Sequence, residues 1–244
     1  MMGFSMSNRL HDNMLPEYLK VGEEVLPLVI KRHAKAKRIC LRYNPTEHSI
    51  ALTLPRHTKV SDGLQFLTDK SQWLIETLNE MPLKKQIKPG VVIPICGERV
   101  RIKHEPALGR QFALMDETLY ISGDREFFPR RVTEALKRIA AIRMRDLAVE
   151  YSAKIGRRVN RISVRDTRSR WGSCSSTGNL SFSWRLVFAP REVLEYVVAH
   201  EVAHLRYMDH SANFWALVEY LCPNHEVAKE WLRLHGKHLY RFNA

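Results

Sequence analysis

The distribution of apolar and polar positions divides the chain into a strand-rich part and a helix-rich part. Short runs at 25–30, 38–43 and 50–54, rich in Val, Ile and Leu, read as strands. The link Asn44-Pro45-Thr46-Glu47 between the last two has hairpin turn chemistry. Leu64, Leu67, Leu74 and Leu78 then place apolar side chains at helical intervals, behind a cap at Ser61 or Asp62. Residues 91–95 and 99–103 form a short strand pair around Cys96-Gly97, and 111–115 with 118–121 form another. Over 127–155 the period is helical, carried by Leu136, Ile139, Ala140, Met144, Leu147 and Tyr151. Strands follow at 161–166 and 180–188, and everything from Pro190 onward reads as helix. The order predicts an α+β protein with a β-rich N-terminal half and a helical C-terminal half that holds a short sheet. The expected regions are a tail over 1–19 that is open to disorder, a β-rich region over 20–125, and a helical region over 126–244. No Pro/Gly/Ser linker marks position 125, so both regions can share one globule.

Within the last region, residues 190–207 carry His200-Glu201-Val202-Ala203-His204. Leu194, Val198, Val202 and Leu205 make an apolar stripe, and Val193, Val197 and Ala199 extend it almost all round, so the helix is expected to be buried. Residues four apart share a helix face, so His200 and His204 can aim their rings at one point. Two histidines and a glutamate inside a buried helix need partners, and a divalent cation supplies one. Glu201 is placed to act as general base on a water at such an ion.

A catalytic zinc usually takes three protein ligands and keeps a fourth position for water or substrate. His210 is the expected third ligand, at the start of a second helix capped by Ser211 and stopped by Pro223. Glu219 on that second helix is the competitor. Asp209 is expected to accept a hydrogen bond from a liganding imidazole or to be a solvated turn residue. Three histidines would also accept other first-row divalent metals.

Composition narrows the rest. The 244 residues suffice for one large or two small domains. Charges interrupt every apolar run before it could span a bilayer, and the first twenty residues lack the apolar core of a signal peptide. The four cysteines stand far apart, which argues against a disulfide scaffold or a cysteine zinc site and points to a reducing cytoplasm. The net charge of +13 attracts phosphates and acidic surfaces without specificity. It is concentrated near Lys31 to Arg38, at Arg130-Arg131, at Arg157-Arg158, and over Arg161, Arg165, Arg168 and Arg170.

The segments Arg165-Asp166-Thr167-Arg168-Ser169-Arg170-Trp171-Gly172-Ser173-Cys174-Ser175, Leu180-Ser181-Phe182-Ser183-Trp184-Arg185-Leu186, Val197 through Leu205, and Asp209-His210-Ser211 with Phe214-Trp215 resemble the YgjP-like metallopeptidase family, a zincin group related to SprT-type proteins. The resemblance implies a cytoplasmic zinc hydrolase with ligands His200, His204 and His210 and base Glu201. It leaves the substrate open between a peptide or protein and a nucleoside triphosphate, because UTP pyrophosphatase activity has also been attached to members. In the peptidase reading the strand over 180–188 pairs with an extended peptide, and Tyr207, Tyr196 or His225 offers an oxyanion donor. In the phosphohydrolase reading Arg165, Arg168 and Arg170 clamp phosphate oxygens and Trp171 stacks a base or packs in the core. A third reading makes the chain a nucleic-acid-associated protein with a structural metal, bound weakly through the basic surface. The sequence leaves the oligomeric state open.

Overall fold

The computed structural model describes residues 4–7, 16–21, 24–44, 47–79, 85–109, 111–167 and 170–243. The chain divides into two compact units, Met1–Pro82 and Leu83–Ala244. The position near 125 where the sequence changes from strand to helix falls inside the second unit, just before its long helix.

The first unit contains strands β1 (Phe4–Ser7), β2 (Tyr18–Val21), β3 (Glu24–Arg32), β4 (Cys40–Asn44) and β5 (Ser49–Leu54) in one sheet of order β1-β2-β3-β5-β4. Within the expected tail, β1 pairs antiparallel with β2. Pro45 and Thr46 of the expected turn lie outside the described residues, and β4 and β5 on either side pair antiparallel. The single helix expected after Ser61 is two, α1 (Val60–Asp69) and α2 (Ser71–Asn79), because Lys70 leaves helical geometry at φ −97°, ψ 9°. Leu67 of α1 and Leu74 of α2 bury against Leu26, Ile50, Leu52 and Leu54, which closes a small core of this unit's own.

The second unit begins with β6 (Lys85–Gln86) and a four-stranded sheet of β7 (Val92–Ile95), β8 (Glu98–His104), β9 (Phe112–Met115) and β10 (Thr118–Ile121), ordered β7-β8-β10-β9. The 27-residue helix α3 (Phe128–Lys154) follows; its buried face runs through Val132, Leu136, Ile139, Ala140, Met144, Ala148 and Tyr151. A three-stranded sheet is built from β11 (Arg161–Arg165), β12 (Gly172–Cys174) and β13 (Asn179–Ser183), with β13 in the middle. The helices α4 (Arg191–Ala203), α5 (Ala212–Leu221) and α6 (His225–His235) come next, and the short strand β14 (Phe242–Asn243) closes back on β6. The architecture is α+β as the sequence implies. Among the described residues no helix is long and apolar enough to cross a membrane.

The strand expected over 180–188 requires correction. It ends at Ser183, and Trp184–Phe188 is a 3-10 turn, every residue of which is buried. A short, mostly apolar run, broken here only by Arg185, reads alike as buried strand or buried helix, and the chain turns to meet α4. Because β13 has a neighbour on each side, it is an interior strand and offers no free edge. The two edges of the sheet are β11 and β12; the one beside Glu201 is β12, three residues long and not anticipated from the sequence.

A buried network fastens the C-terminus to this sheet. Arg185 is only 3% exposed and forms a two-pronged ion pair with Asp166, Nε to Oδ1 at 2.9 Å and Nη2 to Oδ2 at 3.3 Å. Its guanidinium lies 4.9 Å from the Trp184 ring and 5.0 Å from the Tyr240 ring. The Tyr240 hydroxyl donates to the Thr167 carbonyl at 3.0 Å, and its ring packs on Trp171 at 5.4 Å. Tyr240→Phe removes only that hydrogen bond. It is expected to lower stability by about 1 kcal/mol, read as a fall in the urea midpoint with unchanged slope. A loss well above that would mean that the ring stack had moved too.

Candidate metal centre

Helix α4 starts from Pro190, whose carbonyl accepts the first backbone bonds from Val193 and Leu194. Pro190 thus precedes the helix instead of occupying its first position. The helix is almost wholly buried, which places His200 and Glu201 in its last turn against the core of the unit. His204 is the residue at which it ends, still at helical angles (φ −64°, ψ −16°), so the four-residue spacing from His200 is preserved. The chain then reverses without a glycine. The amides of Arg206 and Tyr207 both bond the Ala203 carbonyl at 3.0 Å, winding a tight turn that brings His210 back. Ser211 takes the cap position of α5 in extended geometry, as expected, although its side chain makes no cap bond.

One nitrogen from each of His200, His204 and His210 lies within 4.8 Å of the other two. The His200 and His210 Nε2 atoms are 3.3 Å apart. Two nitrogens each about 2.0–2.1 Å from a shared tetrahedral ion are separated by about that distance. The His204 Nδ1 donates to the Tyr207 carbonyl at 3.0 Å, which fixes the tautomer and leaves Nε2 as the lone-pair donor. The Phe214 ring, fully buried, sits beneath all three imidazoles, with centroids at 5.0, 4.6 and 4.8 Å. His200 and His204 are half-buried and His210 is exposed, so the cluster has a dry floor and one side open to solvent. The donor set, its spacing and the fixed tautomer all fit a first-row divalent cation. Glu219 is exposed and lies outside this cluster. Asp209 accepts the Ser211 amide at 3.4 Å, and the imidazole bond expected of it goes to the Tyr207 carbonyl instead.

Glu201 is 6% exposed. Burial pushes its carboxyl up to about 7, opposed in part by the positive charge of Arg170. Its side chain lies directly on the backbone of β12: a Cβ added to Gly172 would fall 2.5 Å from the Glu201 Cγ and Oε1. The half-buried thiol of Cys174 on the same strand is pushed up to about 11 by burial and by Glu201, which makes it a protonated bystander at neutral pH.

The arrangement meets a match to known proteins at this point. A family model described as YgjP-like, metallopeptidase domain, matches residues 37–235. The chain belongs to the YgjP-like metallopeptidase family. Membership makes it a metallopeptidase-like hydrolase and implies a catalytic metal, for which the three histidines are the available donors. Among solved structures the chain is similar to the crystal structure of the metallopeptidase zymogen of Pyrococcus abyssi abylysin, at 26% identity over 38% of this chain and 93% of that one, with a TM-score of 0.34. No curated protein matches.

The remaining expected positions of this family member separate. Arg170 is exposed and close enough to influence Glu201, and its carbonyl accepts the Thr167 hydroxyl at 2.7 Å. Arg165 ends β11, the edge of the sheet opposite β12. Arg168 lies outside the described residues. Trp171 packs against the core between Tyr240 and Gly236, so its ring serves packing. Tyr207 meets the site through its carbonyl, while its ring packs against the core. Tyr196 is buried with its ring 6.0 Å from His200, and His225 stacks on Trp215 at 6.0 Å. Gly172 and Phe214 were not singled out for the site. With β12 in place, Gly172 is a glycine inside a strand, which marks a close approach of another group to the backbone.

Burial depresses His200 to about 4, aided by the neighbouring His204, His210 and Lys229, and depresses His204 as well. In the metal-free chain His200 therefore contributes stability that is complete above its ordinary value of 6.5 and is lost as pH falls toward about 4, and His204 contributes with the same sign. Glu201 has the opposite sign: its contribution is complete below 4.5 and is lost as pH rises through about 7. Between pH 6.5 and 4.5 the two partly cancel. Metal-free Glu201→Gln lacks the compensating carboxyl, so its melting temperature is expected to fall more steeply than that of the parent between pH 6.5 and 4.5. Parallel thermal melts in chelator check this, and identical slopes would refute it.

Proposed function

We propose that the chain is a zinc-dependent metallopeptidase in which His200, His204 and His210 hold the ion and Glu201 is the general base. The observation that supports this most is the convergence of three imidazole nitrogens beside a buried carboxyl raised to about 7. Zinc bound there would bring the pKa of a water to about 7 and polarise a scissile carbonyl. Glu201, held between α4 and the backbone of β12, takes the proton from the attacking water and returns it to the leaving amine. The free edge of β12 gives an extended peptide backbone groups to pair with next to that carboxyl. Arg170, also beside Glu201, favours the ionised base and can meet an acidic substrate side chain.

The nucleotide reading finds less support. Of its three arginines, the two that are described stand on different segments, and Arg165 is at the far edge of the sheet from Glu201. The deciding experiment offers metal-loaded protein an unfolded protein and UTP in parallel. Peptide-bond cleavage that disappears in Glu201→Gln supports the proposal. Release of pyrophosphate that disappears in the same variant, with no cleavage, replaces it with the nucleotide reading. Metal bound with neither reaction leaves a structural ion.

A further inference from the structure

The basic pair Arg130-Arg131 has no part in the metal centre. Both residues lie in the first turn of α3, beside a cavity of about 420 Å³ lined by Gln111, Phe112, Arg130, Arg131, Glu134, Ala135 and Arg138. Three guanidinium groups face one carboxylate there, and that carboxylate is already engaged: Arg130 Nη1 donates to Glu134 Oε1 at 2.8 Å. Arg131, Glu134, Ala135 and Arg138 share one helix face by their spacing. Arg131 is fixed in place. Its Nη1 donates to Ser122 Oγ at 3.0 Å and reaches the Ser122 carbonyl at 3.3 Å. Its guanidinium lies over Gly123, where a Cβ would fall 2.4 Å from Cζ and where φ is +80°, so both the space and the backbone at 123 call for glycine. Its buried Nε has no hydrogen-bond partner among the described residues. The helix start adds further positive potential.

We infer that this cavity binds the phosphate group of a small phosphate monoester. Arg131 and Arg138 supply more positive charge than Glu134 can offset, which suits a doubly charged anion better than a carboxylate. Planar guanidinium forks match phosphate oxygens two at a time. The partly exposed Phe112 provides an apolar wall, which suits a compact organic group behind the phosphate. The cavity shares no residue with the metal centre.

Calorimetric titration of the metal-loaded full chain with phenyl phosphate tests the inference, with benzoate and inorganic sulfate as comparisons. One site per chain is expected. Arg138→Gln, an exposed position that is tolerant of substitution, is expected to weaken phenyl phosphate roughly tenfold or more, and benzoate to bind the parent roughly tenfold more weakly. Arg131→Lys keeps the charge but loses the fork, and is expected to weaken binding as well while its melting temperature reports that it folds. Arg145→Gln, on an exposed turn of α3 outside the cavity, is expected to leave binding unchanged. Peptide cleavage is expected to be unaffected in Arg138→Gln. Equal weakening by Arg145→Gln would reduce the site to diffuse surface charge. Unchanged affinity in Arg138→Gln would move the anion elsewhere, including to the metal. Binding of a single-stranded oligonucleotide without binding of phenyl phosphate would also overturn the inference.

Discussion

Glu201→Gln is expected to lower kcat for peptide cleavage by about 10²–10⁴-fold, the range that a positioned general base contributes, with metal content unchanged. Gln has nearly the same shape, so it fits the same space against Gly172 and leaves the three imidazoles undisturbed. What it lacks is a group that can accept a proton. The loss should fall on kcat more than on KM, because in the proposed mechanism the carboxylate acts on the water in the transition state rather than on the resting substrate. The carboxyl, raised to about 7, is well matched to this task near neutral pH. It accepts a proton readily there, and burial makes it a stronger base than an exposed glutamate. Cleavage of an unfolded protein followed beside metal analysis checks the expectation. A variant that retains more than a tenth of the parent rate with full metal would assign the proton to another group.

The candidate site was legible because it is local. His200, Glu201 and His204 share one helix, and the helical period that exposes their common face is written in eighteen residues. His210 was legible as a residue just ahead of a capped helix, but the turn that returns it was not. That turn rests on backbone bonds to the Ala203 carbonyl, and no side-chain type announces them. The strands themselves were readable wherever apolar runs were bounded by turn residues, as for β7 to β10, though not the order in which they pair. The reading failed at 184–188, where five buried residues in a row carry no period to distinguish a strand from a turn of helix. The break at Lys70 was equally silent, since neither Gly nor Pro stands there. The largest omission was β12. Three residues are too few to show a pattern, and yet this strand supplies both one edge of the sheet and the surface on which Glu201 rests. Its pairing with β13 is a tertiary fact that no local pattern announces.

The glycine of β12 should carry a second large effect. Gly172→Ala is expected to lower kcat by about 10²-fold, the cost of misplacing a catalytic group by roughly 1 Å. The new methyl group would lie 2.5 Å from the Glu201 Cγ and Oε1 and 2.8 Å from Cδ, so one partner must yield. The strand is held by its register with β13, Gly172 opposite Phe182 and Cys174 opposite Leu180. The body of α4 is packed into the core and cannot retreat. The carboxylate end of Glu201 is the part left to yield, and it would swing away from the water it is proposed to activate. Overpacking should also lower stability by about 1–3 kcal/mol, which a denaturation midpoint would show separately from the rate. Metal content should hold, because the three atoms nearest the new methyl group all belong to Glu201. The double variant decides the cause. If Gly172 acts only by seating Glu201, adding Gly172→Ala to Glu201→Gln should cost little further activity, since the base is already gone. Losses that multiply in full would mean that β12 serves the reaction by another route, through the peptide that pairs along its edge.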